Sequence, residues 1–98
     1  MEYELIPSKF FLGQLEKLSR KAKKQLAAKL KLVKENLYRH KRIKGHKLFL
    51  FRIRFENERR EKRLIYLVEK PKVKLLCILD RDKEYKDLEK YLNLQGYK

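Results

Sequence analysis

Apolar and polar residues alternate along this chain with two different periods. Tyr3 and Leu5 oppose Glu2, Glu4 and Ile6 over residues 1–6, until Pro7 removes a backbone donor, which predicts a short strand. Ser8 follows as an N-cap, and Phe11, Leu15 and Leu18 fall four and three apart on one helical face. Ser19 caps a second helix, in which Ala22, Leu26, Leu30, Val33 and Leu37 recur at helical spacing. Two helices so close in sequence predict a hairpin packed through these stripes.

The pattern breaks over residues 38–47, where Arg39, His40, Lys41, Arg42, Lys44, His46 and Lys47 surround Gly45, with Ile43 the one aliphatic residue; a basic loop is expected. Period two resumes over residues 48–55. It sends Phe49, Phe51, Ile53 and Phe55 to one face, the expected core face, and Leu48, Leu50, Arg52 and Arg54 to the other. A charged connection at 56–61 leads to strands at 62–69 and 73–79, joined through Lys70, Pro71 and Lys72, and links this short favour an antiparallel meander. Tyr85, Leu88, Tyr91 and Leu92 mark a short C-terminal helix. The expected class is α+β: an N-terminal strand, a basic two-helix hairpin, a three-stranded antiparallel meander and a short C-terminal helix, as one domain over residues 1–98.

Composition adds a charge problem to this fold. The chain is 43% hydrophobic and 11% aromatic, enough for a core, but 28 Lys+Arg against 13 Asp+Glu leave a net charge of +15. Such an excess calls for a polyanionic partner. It is local: residues 20–47 hold twelve basic side chains and a single acid, Glu35. Lys21, Lys24, Lys31, Lys34, Arg39, Lys41, Arg42, Lys44 and Lys47 are the expected contacts to a nucleic-acid backbone, made through counterion release; the competing reading is a solvated helix face.

Other chemistries are poorly supported. Cys77 sits among aliphatic residues, as a buried, inert thiol would, and one cysteine forms no intramolecular disulfide. His40 and His46 have no cysteine or carboxylate pair near them, so no metal or cofactor is expected; the glycines stand alone rather than in a phosphate-binding loop. Apolar runs such as 75–79 fall far short of the ~20 residues that span a bilayer. With no export signal evident, a cytoplasmic protein is the expectation.

Arg52 and Arg54 form a sharper constellation. Period two puts both guanidinium groups on one sheet side, and antiparallel pairing through 56–61 would bring Arg63 beside Arg54. Three arginines there make an anion site, since the planar fork suits bidentate phosphate contact. The alternative is a ladder of ion pairs with Glu56, Glu58, Glu61 and Glu69.

Four segments, 43–45 (Ile-Lys-Gly), 51–54 (Phe-Arg-Ile-Arg), 63–66 (Arg-Leu-Ile-Tyr) and 80–85 (Asp-Arg-Asp-Lys-Glu-Tyr), together resemble the RelE/ParE superfamily of toxin–antitoxin toxins, over nearly the whole chain. The resemblance implies a ribosome-dependent endoribonuclease that cuts messenger RNA, needs no cofactor and is held inactive by an acidic antitoxin protein. It places the catalytic groups on Arg52, Arg54, Arg63, Arg81 and Tyr85. Arg63 and Arg81 would clamp the phosphate attacked by the adjacent 2′-hydroxyl, and Tyr85 would stack on or orient a base. The ParE-like branch, which inhibits DNA gyrase without cleavage, and a non-catalytic nucleic-acid-binding domain are the alternatives. The chain departs from the ribonuclease pattern in three places. Arginines replace the paired strand lysines, one of which can serve as base; Asp80 stands where histidine is frequent, beside Arg81; and the 56–61 connection is longer than the usual tight turn. With arginine unable to lose its proton readily, the acceptor is open among Tyr85, His46, Asp80 and Asp82.

Overall fold

The computed structural model describes residues 3–36, 40–43, 48–80 and 86–96. Strand β1 (Glu4–Pro7) leads into helices α1 (Lys9–Glu16) and α2 (Arg20–Glu35); β2 (Lys41–Arg42), β3 (Leu50–Asn57), β4 (Arg60–Glu69) and β5 (Lys72–Asp80) follow, and α3 (Lys86–Leu94) ends the order. Both expected caps are in place. The Ser8 hydroxyl accepts from the Phe11 amide at 3.0 Å and that of Ser19 from the Ala22 amide at 3.1 Å, each satisfying a donor that the first helical turn leaves open.

The strands form one five-stranded sheet in the order β1-β5-β4-β3-β2. The expected meander is its centre, β3 to β5, and β1 extends it by pairing parallel to β5, with Leu5 opposite Val73. At the other edge the basic stretch is not all loop. Lys41 and Arg42 form a two-residue strand opposite Arg52 and Phe51, while 37–39 and 44–47 lie outside the described residues.

The charged connection at 56–61 also contracts. Asn57 pairs with Arg60, so the turn is only Glu58 and Arg59, at φ of 50° and 68°. Two positive φ values match the type I′ geometry whose twist suits a hairpin, here without the usual asparagine and glycine.

Both sheet faces are buried, where alternation in the sequence suggested one. Phe51, Ile53, Phe55, Leu64 and Tyr66 pack against Phe11 of α1 and Ala22, Leu26 and Val33 of α2. Leu50, Ile65, Leu67, Cys77 and Leu79 pack against Leu88, Tyr91 and Leu92 of α3. Leu50, assigned by period to the polar side, is therefore core, and Phe49, assigned to the core, precedes β3 and is 50% exposed. The edge of β5 beyond β1 is closed by side chains: the Ser8 hydroxyl donates to the Leu76 carbonyl at 2.6 Å, and the Gln14 amide both donates to the Ile78 carbonyl (2.8 Å) and accepts from the Ile78 amide (2.6 Å).

Candidate functional site

The face shared with α3 carries the candidate chemistry. The ladder sets Arg54 opposite Arg63, and Arg63 opposite Leu79 in β5; two residues earlier in β3, Arg52 faces Ile65. Directly opposed residues in an antiparallel pair project to the same side, so Arg52, Arg54 and Arg63 share this face with the second core. The pairing expected from the sequence is thus present.

Arg63 is largely buried, its side chain 12% exposed. Among the described residues it has one ion-pair contact, a long one, from Nη2 to the Glu61 carboxylate at 3.8 Å, and its buried Nε has no hydrogen-bond partner. A charge withdrawn from water is expensive unless its donors are satisfied. Arg54, directly opposite, is a second cation and raises the local potential further. The pair is therefore undersatisfied for anions, and a phosphate oxygen would supply what Glu61 does not.

The expected glutamate ladder is only partial. Glu69 pairs with Lys74 at 2.7 Å, on the other side of Lys70 and Pro71, and Glu56 faces Glu61 across the turn instead of an arginine. Asp80 closes β5 and is held by the Lys62 ammonium; the first-turn acids of α3 are Asp87 and Glu89. Arg81, Asp82, Glu84 and Tyr85, with Arg39, Lys44, His46 and Lys47, fall outside the described residues.

The basic side chains divide into two sets. On α2, Lys24 and Lys31 lie roughly 160° round the helix from the stripe that packs on the sheet, and Lys21, Lys24, Lys31 and Lys34 are all exposed. Because α2 covers the face opposite the arginines, a helix and the sheet separate these lysines from Arg54 and Arg63. Lys41 belongs with the arginines: it is the cross-strand partner of Arg52, bringing an amine to the same face. The sequence marked Lys41 only as a backbone contact, since nothing in a basic stretch signals a two-residue strand.

A cavity of about 570 Å³ beside the edge of β5 is lined by Phe10, Gln14, Lys62, Asp80, Tyr91 and Leu94 among others, and by none of the three arginines. Cys77 is fully buried; burial, with the Asp87 carboxylate adding, pushes its thiol up to about 12, so it is neither nucleophile nor ligand at neutral pH. Burial likewise raises the Tyr66 phenol, which stacks on Phe51 with ring centroids 5.3 Å apart. No group of three or more histidine, cysteine or acidic residues able to hold a metal occurs among the described residues, and no helix is long and apolar enough to cross a membrane.

No protein-family model and no curated protein matches the sequence. Solved structures do. A double arginine-to-alanine mutant of the E. coli toxin RelE in the free state is similar with a TM-score of 0.77 at 20% identity, covering 97% of this chain and 98% of that one. The intact E. coli RelBE toxin–antitoxin complex matches at 0.70 and 23%, over 80% of this chain and 95% of that one. The isolated E. coli RelE toxin matches at 0.66 and 24%, over 92% and 98%. At these identities the likeness is one of architecture, and it spans nearly the whole chain: this protein has the RelE toxin fold.

Proposed function

We propose that the chain is the toxin of a toxin–antitoxin module, a RelE-like endoribonuclease that cuts messenger RNA on the ribosome and is restrained by an acidic antitoxin. The observation that carries this reading is the Arg54–Arg63 pair, two opposed cations on one sheet face, one of them 12% exposed with an unpartnered Nε. The RelE fold supports it, as does the fact that one structure sharing that fold is a toxin bound to its antitoxin.

In this reading a messenger RNA phosphate lies over Arg54 and Arg63. The 2′-oxygen bonds to phosphorus as the bond to the 5′-oxygen breaks, and the arginines hold the charge that builds on the phosphorane oxygens. Arg81 completes the clamp, and Tyr85 stacks on or orients the base. No guanidinium takes the proton of the 2′-hydroxyl, its pKa lying above about 12. The 2′-hydroxyl proton passes to one of the acceptors the sequence leaves open, and the Lys41 ammonium, beside Arg52, is one group on this face able to give a proton to the departing 5′-oxygen; Asp80 is engaged by Lys62. The exposed lysines of α2 grip RNA backbone without sequence preference.

The test is a cell-free translation reaction with purified protein, followed by mapping of 5′ ends on a defined message. Codon-positioned cuts that disappear in Arg63→Ala and Arg81→Ala support the ribonuclease. An intact message with blocked DNA supercoiling points to gyrase instead, and salt-sensitive binding without either effect to a simple nucleic-acid-binding domain.

A further inference from the structure

Phe49 belongs to neither buried cluster and is half exposed, an unusual position for a phenylalanine just ahead of a strand whose next aromatic residues are core. It is not bare: the Arg42 guanidinium carbon lies 4.5 Å from its ring centroid. Arg42 belongs to the two-residue edge strand β2, opposite Phe51, and its neighbour Lys41 is opposite Arg52. Successive strand residues project to opposite faces, so this edge carries a guanidinium over an aromatic ring on one side and Lys41 with Arg52 on the other. A chain passing round the edge meets the stack on one side and the arginine face on the other.

Unpaired bases stack on aromatic rings and on guanidinium planes, and each such contact is tolerant of base identity because every base has a π-face. We propose that Arg42 and Phe49 form a stacking platform for an unpaired RNA base, holding a nucleotide that neighbours the one whose phosphate reaches Arg52, Arg54 and Arg63. This rests on RNA being the substrate. The platform adds a selection that the arginines alone lack: phosphates are present in single strands and duplexes alike, whereas a stacking surface at an edge accepts only a base released from pairing.

The experiment compares the full-length protein with its Phe49→Leu, Phe49→Tyr and Arg42→Lys variants, using a short single-stranded RNA carrying 2-aminopurine and the same sequence as a duplex. The expected result is that Phe49→Leu weakens single-strand binding about tenfold and removes the 2-aminopurine quench, leaving duplex binding within about twofold, in line with the measured range for loss of one stacked base. Phe49→Tyr keeps the ring and retains both affinity and quench. Arg42→Lys keeps the charge without the plane and loses about threefold. If single-stranded RNA binds equally well to parent and Phe49→Leu, or if Phe49→Leu weakens duplex and single strand alike, the platform is overturned and RNA as ligand stands. If the parent protein binds neither RNA, the platform is overturned, and the ribonuclease reading is decided separately by the 5′-end mapping in a translating extract.

Discussion

Arg54 and Arg63 stand directly opposite each other in the β3–β4 ladder, two cations leaving the same sheet face. Like charges so placed weaken a sheet by a few tenths of a kcal/mol to about 1 kcal/mol, and sites that sacrifice stability in this way are typically functional. Arg54→Thr removes the repulsion and adds a β-branched residue suited to a strand. It is expected to raise unfolding stability by about 0.5 kcal/mol in urea melts while weakening RNA binding. A variant less stable than the parent would show that Arg54 supports the fold instead.

At the outer edge of β5, both backbone groups of Ile78 depend on one side chain. Gln14 bonds both backbone groups of Ile78, donating at 2.8 Å and accepting at 2.6 Å. Gln14→Ala leaves both unmet and is expected to cost about 2 kcal/mol by chemical denaturation, since each lost bond to a partly buried group costs roughly 1 kcal/mol. A loss below ~0.5 kcal/mol would mean that water replaces the amide freely.

Glu58 and Arg59 hold positive φ without asparagine or glycine. The left-handed region crowds Cβ against the backbone, so the double substitution Glu58→Asn with Arg59→Gly is expected to stabilise the hairpin by about 1 kcal/mol without moving the register. A melting temperature unchanged or lowered would contradict the turn geometry.

Cys77 sets a pH dependence with a definite sign. Its ordinary pKa of 9.0 is pushed up to about 12 in the fold, so the unfolded chain releases the thiol proton first. The contribution is fully present below pH 9 and is lost as pH rises from there toward 12, at up to about 1.4 kcal/mol per pH unit. Measured against Cys77→Ala, which has no thiol to titrate, the parent should lose stability more steeply across pH 9–11. Parallel profiles would refute the burial argument, as would rapid reaction of the folded protein with a thiol reagent at pH 8.

Much of the fold was legible because its signals are local. Ser8 and Ser19 announce their helices by position, and the period-two run through Phe51, Arg52, Ile53 and Arg54 already put both arginines on one side. The links that failed are those made at long range or by short elements. Glu4–Pro7 reads as a strand, yet its parallel partner lies nearly seventy residues on. Lys41–Arg42 is too short for any period, and the glutamates and arginines around Glu58 hide a two-residue turn because none of them is a turn former. Which sheet face α3 covers is a tertiary fact; it turned Leu50 and Ile65 into core and left the lysines of α2 on the far side from Arg54 and Arg63.

That separation leads to the decisive measurement. In the proposed ribonuclease, position on the sheet, not total positive charge, supports cleavage. Messenger RNA cuts are counted by 5′-end mapping in a translating extract for Arg63→Gln, which removes one charge, and for Lys24→Gln with Lys31→Gln, which together remove two from the opposite side. The expected result is a loss of at least about a hundredfold for Arg63→Gln, the scale of losing one transition-state donor, against less than about tenfold for the lysine pair. Equal losses, or cutting that survives Arg63→Gln, would contradict the account.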